Sequence, residues 1–142
     1  MKATTYFQPT PSTYHEGLLL FAHLLMNVDG VVDERELKAL EEIRKEENIP
    51  EETFSAFRET ITRKPEKDLY HDGIDMLNNC SEQERLCALV HLYRLSESDF
   101  SIHPREVRLL LYSLKRTDVD FDEIELTARL VNARRGLPPK AA

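Results

Sequence analysis

Asn27-Val28-Asp29-Gly30-Val31-Val32-Asp33-Glu34-Arg35-Glu36 is the stretch on which the reading of this chain turns. It recurs in worn form as Glu97-Ser98-Asp99-Phe100-Ser101-Ile102-His103-Pro104-Arg105-Glu106. At a constant offset of 70 residues Asp29 falls on Asp99, Arg35 on Arg105 and Glu36 on Glu106. The apolar positions around the loop follow the same register: Leu19 meets Leu89, Leu25 meets Leu95 and Leu40 meets Leu110. A fixed offset that keeps acids in the loop and leucines in the flanks is the signature of a duplicated helix–loop–helix unit.

The flanking segments carry helical signals. The first helix is expected from about Ser12 to Val28, and the second from Asp33 to about Asn48 with Leu37, Leu40 and Ile43 as its apolar stripe. Asp33-Glu34-Arg35-Glu36 has the spacing of a capping box. Pro50 opens a third helix running to about Thr62, and Pro65 a fourth carrying Leu69, Ile74, Met76 and Leu77. A second capping box, Ser81-Glu82-Gln83-Glu84, starts a strongly apolar helix through Leu95. Pro104 suits the first turn of the next helix, with Val107, Leu110, Leu111 and Leu114 inward. Asp120-Phe121-Asp122-Glu123 caps the last, which carries Ile124, Leu126, Leu130 and Val131 and stops at Gly136. Period-two alternation never persists, so no strand is expected. The fold class is therefore all-α: a bundle of about seven helices built from two degenerate repeats. Residues 1–11 and 137–142 read as tails around one domain over 12–136.

Composition narrows the function classes. The 142 residues are 41% hydrophobic and 32% charged, as in a globular domain able to bury a core. Nineteen Lys+Arg against 26 Asp+Glu give a net charge of −7, which repels a phosphate backbone and an anionic bilayer. Neither nucleic-acid binding nor membrane insertion is expected, because the longest apolar run, Leu18 to Met26, is too short to span and contains His23. Cys80 and Cys87 are not a CxxC pair, and on one helix they stand roughly 10 Å apart along the axis. Both are read as reduced core residues, which fits a cytoplasmic protein.

The loop has two readings. Placed on an EF-hand register, Asn27 takes the third position, Asp29-Gly30 the central acid–glycine step, Asp33 the ninth and Glu36 the twelfth. Hard oxygen ligands at a tight turn suit calcium or magnesium, although the first ligand position holds Leu25 instead of Asp. The second reading is structural: Asp33 and Glu36 cap a helix, and Asp29-Gly30 makes an ordinary turn. The survival of Asp99 where the glycine has become Phe100 favours a use for the acid beyond the turn.

The run Phe21-Ala22-His23-Leu24-Leu25-Met26-Asn27-Val28-Asp29-Gly30-Val31-Val32-Asp33-Glu34-Arg35-Glu36 resembles the tellurite-resistance TerB-like family, to which the N-terminal domains of membrane-anchored DnaJ-like co-chaperones are related. The resemblance covers roughly residues 12–135, and its sharp part is this one motif. It implies a two-fold helical plan with acidic loop clusters that bind divalent metal, in a stress or tellurite-resistance response. Carried over by position, the metal candidates are Asp29, Asp33 and Glu36, with Asp99 and Glu106 as a second half. Phe100, and His103-Pro104 in place of Asp33-Glu34, depart from the pattern at that second half.

Other constellations are weaker. His23 and His91 do not match in the repeat register and read as core or boundary histidines with one hydrogen bond each. His103 reads as a cap. Asp68, His71, Asp72 and Asp75 gather on one helix without a ligand from a second element, as an exposed face would. Glu46 and Glu47 belong with Glu41 and Glu42 to a solvated acidic face. No Gly-rich phosphate loop, HExxH, GxSxG or di-iron ExxH pair is present, and no enzyme is expected. Two functions remain: a domain binding calcium or magnesium (manganese or zinc if a histidine joins), or a metal-free helical module that holds an unidentified protein partner.

Overall fold

The computed structural model describes residues 11–26, 33–97, 102–114 and 120–134. These hold seven α-helices and no strand. They are α1 (Pro11–Met26), α2 (Glu34–Glu47), α3 (Glu51–Arg63), α4 (Glu66–Asn78), α5 (Glu82–Ser96), α6 (Pro104–Ser113) and α7 (Phe121–Arg134). No helix among the described residues is long and apolar enough to cross a membrane.

The offset of 70 residues governs the architecture. It carries the first residues of α2 and α3 onto those of α6 and α7, and the last residue of α1 onto that of α5. Packing repeats with it: α1 lies against α2 and α3, and α5 lies against α6 and α7. The unit is thus three helices, and α4 is an addition between two copies, packed mainly on α1. The paired leucines occupy equivalent places, since Leu19 and Leu89 are both sealed from solvent, as are Leu40 and, nearly, Leu110. α1 and α5 form the centre of the bundle. Each is apolar around most of its circumference, as a helix covered on several sides must be.

Where α1 meets α4 the backbones come close. A Cβ added at Gly73 would stand 2.6 Å from the buried Phe21 ring, and one at Gly17 would stand 3.0 Å from Leu77. Both glycines are there for space, because a sealed aromatic ring cannot yield as a surface side chain would.

The helix boundaries follow local chemistry. Ser81 accepts from the Glu84 N–H while the Glu84 carboxylate accepts from the Ser81 N–H, so that capping box is complete. Asn48 ends α2 at φ 54, in the left-handed region that asparagine tolerates. The turn into α5 has a stronger device. Arg85, only 6% exposed, turns back and donates through Nη1 to the carbonyls of Leu77, Asn78 and Cys80. It also meets Glu82 at 3.0 Å. A cation at the C-terminal carbonyls of α4 satisfies groups that a helix end leaves open and opposes its dipole.

The sequence leaves one helix face undecided, and one expectation needs correction. In α7, Ile124 and Ala128 are buried, whereas Leu126 and Leu130 are 60% and 51% exposed. The 124–128–131 spacing wins the core face, and the two leucines fall opposite it. The Asp33–Glu36 box is only half made: Asp33 Oδ1 accepts from the Glu36 N–H at 2.9 Å, but the Glu36 carboxylate goes elsewhere. The expected stop at Gly136 and the tails at 1–11 and 137–142 fall outside the described residues, apart from Pro11, which opens α1.

Candidate functional site

Of the five metal candidates, Asp33, Glu36 and Glu106 are described; Asp29 and Asp99 lie outside the described residues. Asp33 is exposed at the mouth of α2, where its side chain is the N-cap. One turn on, Glu36 points inward and is 2% exposed. Its Oε2 lies 2.6 Å from Nδ1 of His23, near the end of α1, and His23 in turn sets its ring edge-on to Phe57 of α3. A carboxylate taken this far from water must be paired. His23 supplies the partner, and the contact ties the first turn of α2 to α1. His23 thus makes the one hydrogen bond expected of it, with a partner that periodicity could not name.

The second half differs. His103 is the N-cap of α6 and accepts through Nδ1 from the Arg105 N–H at 3.1 Å. Glu106 accepts from the His103 N–H at 2.9 Å. Glu106 therefore closes a cap at the surface, whereas Glu36, its equivalent, enters the core. Among the described residues no group of three or more His, Cys, Asp or Glu side chains is arranged to hold a metal ion.

A second polar cluster gathers at the other end of α2. Glu46 and Glu47 are not a solvated face. Glu47 Oε2 lies 2.6 Å from Nε2 of His91 and accepts from the Tyr14 hydroxyl at 2.8 Å. Glu46 takes a two-pronged contact from Arg94, at 3.0 and 3.4 Å, and stands 3.4 Å from Nδ1 of His91. Arg94 also donates through Nε to Asn132 of α7 at 2.8 Å. Two carboxylates at the C-terminal end of a helix oppose its dipole. Their partners on α1 and α5 offset this, and they clamp α2 to both central helices. Tyr14 is 5% exposed and part of this clamp.

The electrostatics follow from burial and these contacts. The hydrogen bond from His91, aided by that from Tyr14, holds Glu47 below its ordinary value of 4.5 despite partial desolvation. Burial and the Glu47 carboxylate push the Tyr14 phenol far up, so it remains a proton donor. Desolvation lowers His15, whose Nδ1 is buried without a hydrogen-bond partner. Burial raises the Cys80 thiol to about 11 and raises Cys87 as well. Both cysteines are free, and at neutral pH neither has the thiolate character that nucleophilic chemistry needs.

Glu47 gives a signed pH dependence. A carboxylate held low when folded contributes fully above its ordinary value and loses that contribution as pH falls through the folded one. Wild-type protein should therefore lose stability below pH 4.5 faster than a Glu47→Gln variant. Urea midpoints for the two should be well separated at neutral pH and draw together as pH falls below 4.5. Parallel midpoint curves over that range would show that Glu47 gains nothing from His91.

Comparison with family models, with curated proteins and with solved structures finds no match to this chain.

Proposed function

We propose that the chain is a TerB-like cytoplasmic helical domain that binds one divalent cation, calcium or magnesium, at the α1–α2 junction. Asp29, Asp33 and Glu36 are the ligating acids. The observation that carries this reading is the placement of Asp33 and Glu36, one turn apart at the mouth of α2 and each fixed by the protein. The cap bond uses Asp33 Oδ1 and the His23 contact uses Glu36 Oε2. A carboxylate has two oxygens and about four acceptor sites, so the single cap bond leaves Asp33 with ligating capacity. Hydrogen bonds that orient ligating groups are a regular part of metal sites. His23 has that role for Glu36 in this reading. Glu106 is committed to the α6 cap, so a second equivalent site with Asp99 is not part of the proposal. The stress or tellurite-resistance role comes from the family resemblance alone.

The test is calorimetric titration of chelator-stripped protein with calcium, magnesium, manganese and zinc, beside an Asp29→Asn variant. Asp29 is the better target, because replacing Glu36 also breaks a buried pair. Saturable binding tighter than about 100 µM that disappears in the variant is the expected result, at one ion per chain. The variant should unfold like wild type when no cation is present. No heat and no rise in melting temperature with any of the four ions would leave Asp33 and Glu36 as structural acids. The metal-free interaction module would then be the better reading.

A further inference from the structure

α6 turns toward solvent a face that its own duplicate says should be polar. Arg105, Arg108, Leu109 and Tyr112 follow the i, i+3, i+4, i+7 spacing of one helix face, and all four are exposed. Leu109 is 62% exposed and Tyr112 71%, the two largest values among the exposed bulky apolar residues. At the fixed offset the corresponding residues of α2 are Arg35, Lys38, Ala39 and Glu42. The two cations are kept, alanine has become leucine, and glutamate has become tyrosine. The opposite face of α6, with Val107, Leu110, Leu111 and Leu114, already fills the core, so the outer residues are not needed there.

The surroundings extend the apolar strip. The Arg108 guanidinium lies 4.4 Å from the centroid of the Phe121 ring, at the start of α7. At the far end Tyr70 of α4, itself 41% exposed, meets Ser113 through its hydroxyl at 2.9 Å. No carboxylate among the described residues pairs with Arg105 or Arg108. Two guanidinium groups with no carboxylate partner among the described residues, beside an exposed leucine and tyrosine, stand out on a chain of net charge −7.

We propose that the outer face of α6 is a docking site for an acidic amphipathic helix of a partner protein, with apolar side chains set against Leu109 and Tyr112 and carboxylates against Arg105 and Arg108. Tyrosine and arginine are among the residue types that most often carry binding energy at interfaces, and an amphipathic partner helix would meet them with its own anchors at i, i+3, i+4 and i+7. Charge complementarity selects the partner. An anionic bilayer also attracts a cationic apolar strip, but the chain as a whole carries a net charge of −7, which opposes approach to it. A ten-residue helix about 15 Å long gives little area for that contact. A peptide of helical width touches the strip alone.

The test is selection from a phage-displayed library of helical peptides on the full chain, followed by affinity measurement on the winners. Selected peptides should be rich in Asp and Glu between apolar anchors, and should bind more weakly as salt rises. Their affinity should fall about tenfold for Arg105→Glu/Arg108→Glu, and again about tenfold for Tyr112→Ala. Amide shift changes on binding should centre on α6. The Asp29→Asn variant should bind them as wild type does, so failure of the cation reading leaves this one standing. No enrichment, or winners indifferent to the α6 substitutions, would overturn the proposal. Binding instead to phosphatidylserine/phosphatidylcholine vesicles through α6, or concentration-dependent dimerisation abolished by Tyr112→Ala, would equally overturn it.

Discussion

Glu36→Ala is expected to destabilise the protein by about 3 kcal/mol, read as a fall in urea midpoint at neutral pH with cations chelated. The variant leaves His23 buried beside Phe57 with its carboxylate partner gone. Removing one member of a buried pair generally costs more than the pair itself contributes, because the survivor keeps its desolvation penalty. His23→Ala should fall in the same range for the same reason. The double variant should be less damaged than the two single effects together, with a coupling of about 1–2 kcal/mol. A loss under about 1 kcal/mol for Glu36→Ala would mean that the carboxylate is solvated and the contact contributes little. The experiment also protects the cation test, since a folding defect at Glu36 imitates lost binding.

Arg85→Met is expected to cost about 3 kcal/mol as well, by a different route. Methionine fills the space of the arginine stem, so packing is largely preserved. What disappears is the guanidinium that donates to the carbonyls of Leu77, Asn78 and Cys80. Those carbonyls end α4 at a turn closed by the buried Cys80, where water replaces the lost donor poorly. Arg85→Lys should recover only part of the loss, because an ammonium set against the carbonyls has no second nitrogen with which to hold Glu82. Amide exchange in the last turn of α4 should quicken in both variants. If Arg85→Met unfolds like wild type, the three bonds add nothing beyond what solvent supplies.

How much of this was legible in the sequence depends on range. Helix starts were readable because their chemistry is local: Pro50 and Pro65 precede their helices, Pro104 is the first residue of its helix, and Ser81 forms the expected box. The duplication was readable because it preserves spacing, and the structure extends it from two helices to three. Polar partners were not readable. Glu47 and His91 are 44 residues apart, and nothing near either one distinguishes a clamped carboxylate from a solvated one. Glu36 and His23 are closer, at 13 residues, yet their meeting depends on how α1 and α2 pack. The outward placement of Leu126 and Leu130 was not readable for a simpler reason. In α7 apolar residues occupy both faces, and only packing against α5 decides which face is inside.

The placement of α1 has a consequence for the order in which the chain assembles. Although α1 comes first, its principal neighbour is α4, and it also lies against α5. During synthesis, Leu18, Leu19, Leu20 and Phe21 therefore leave the ribosome long before the surfaces that cover them exist. The first three helices, although one complete copy of the repeat, cannot seal α1 by themselves. Closure must bring together segments some fifty to seventy residues apart, and such long-range closure slows folding. Until then an apolar helix stands uncovered, the condition in which nascent chains depend on chaperones. Duplication has thus given two structural copies but only one cooperative folding unit.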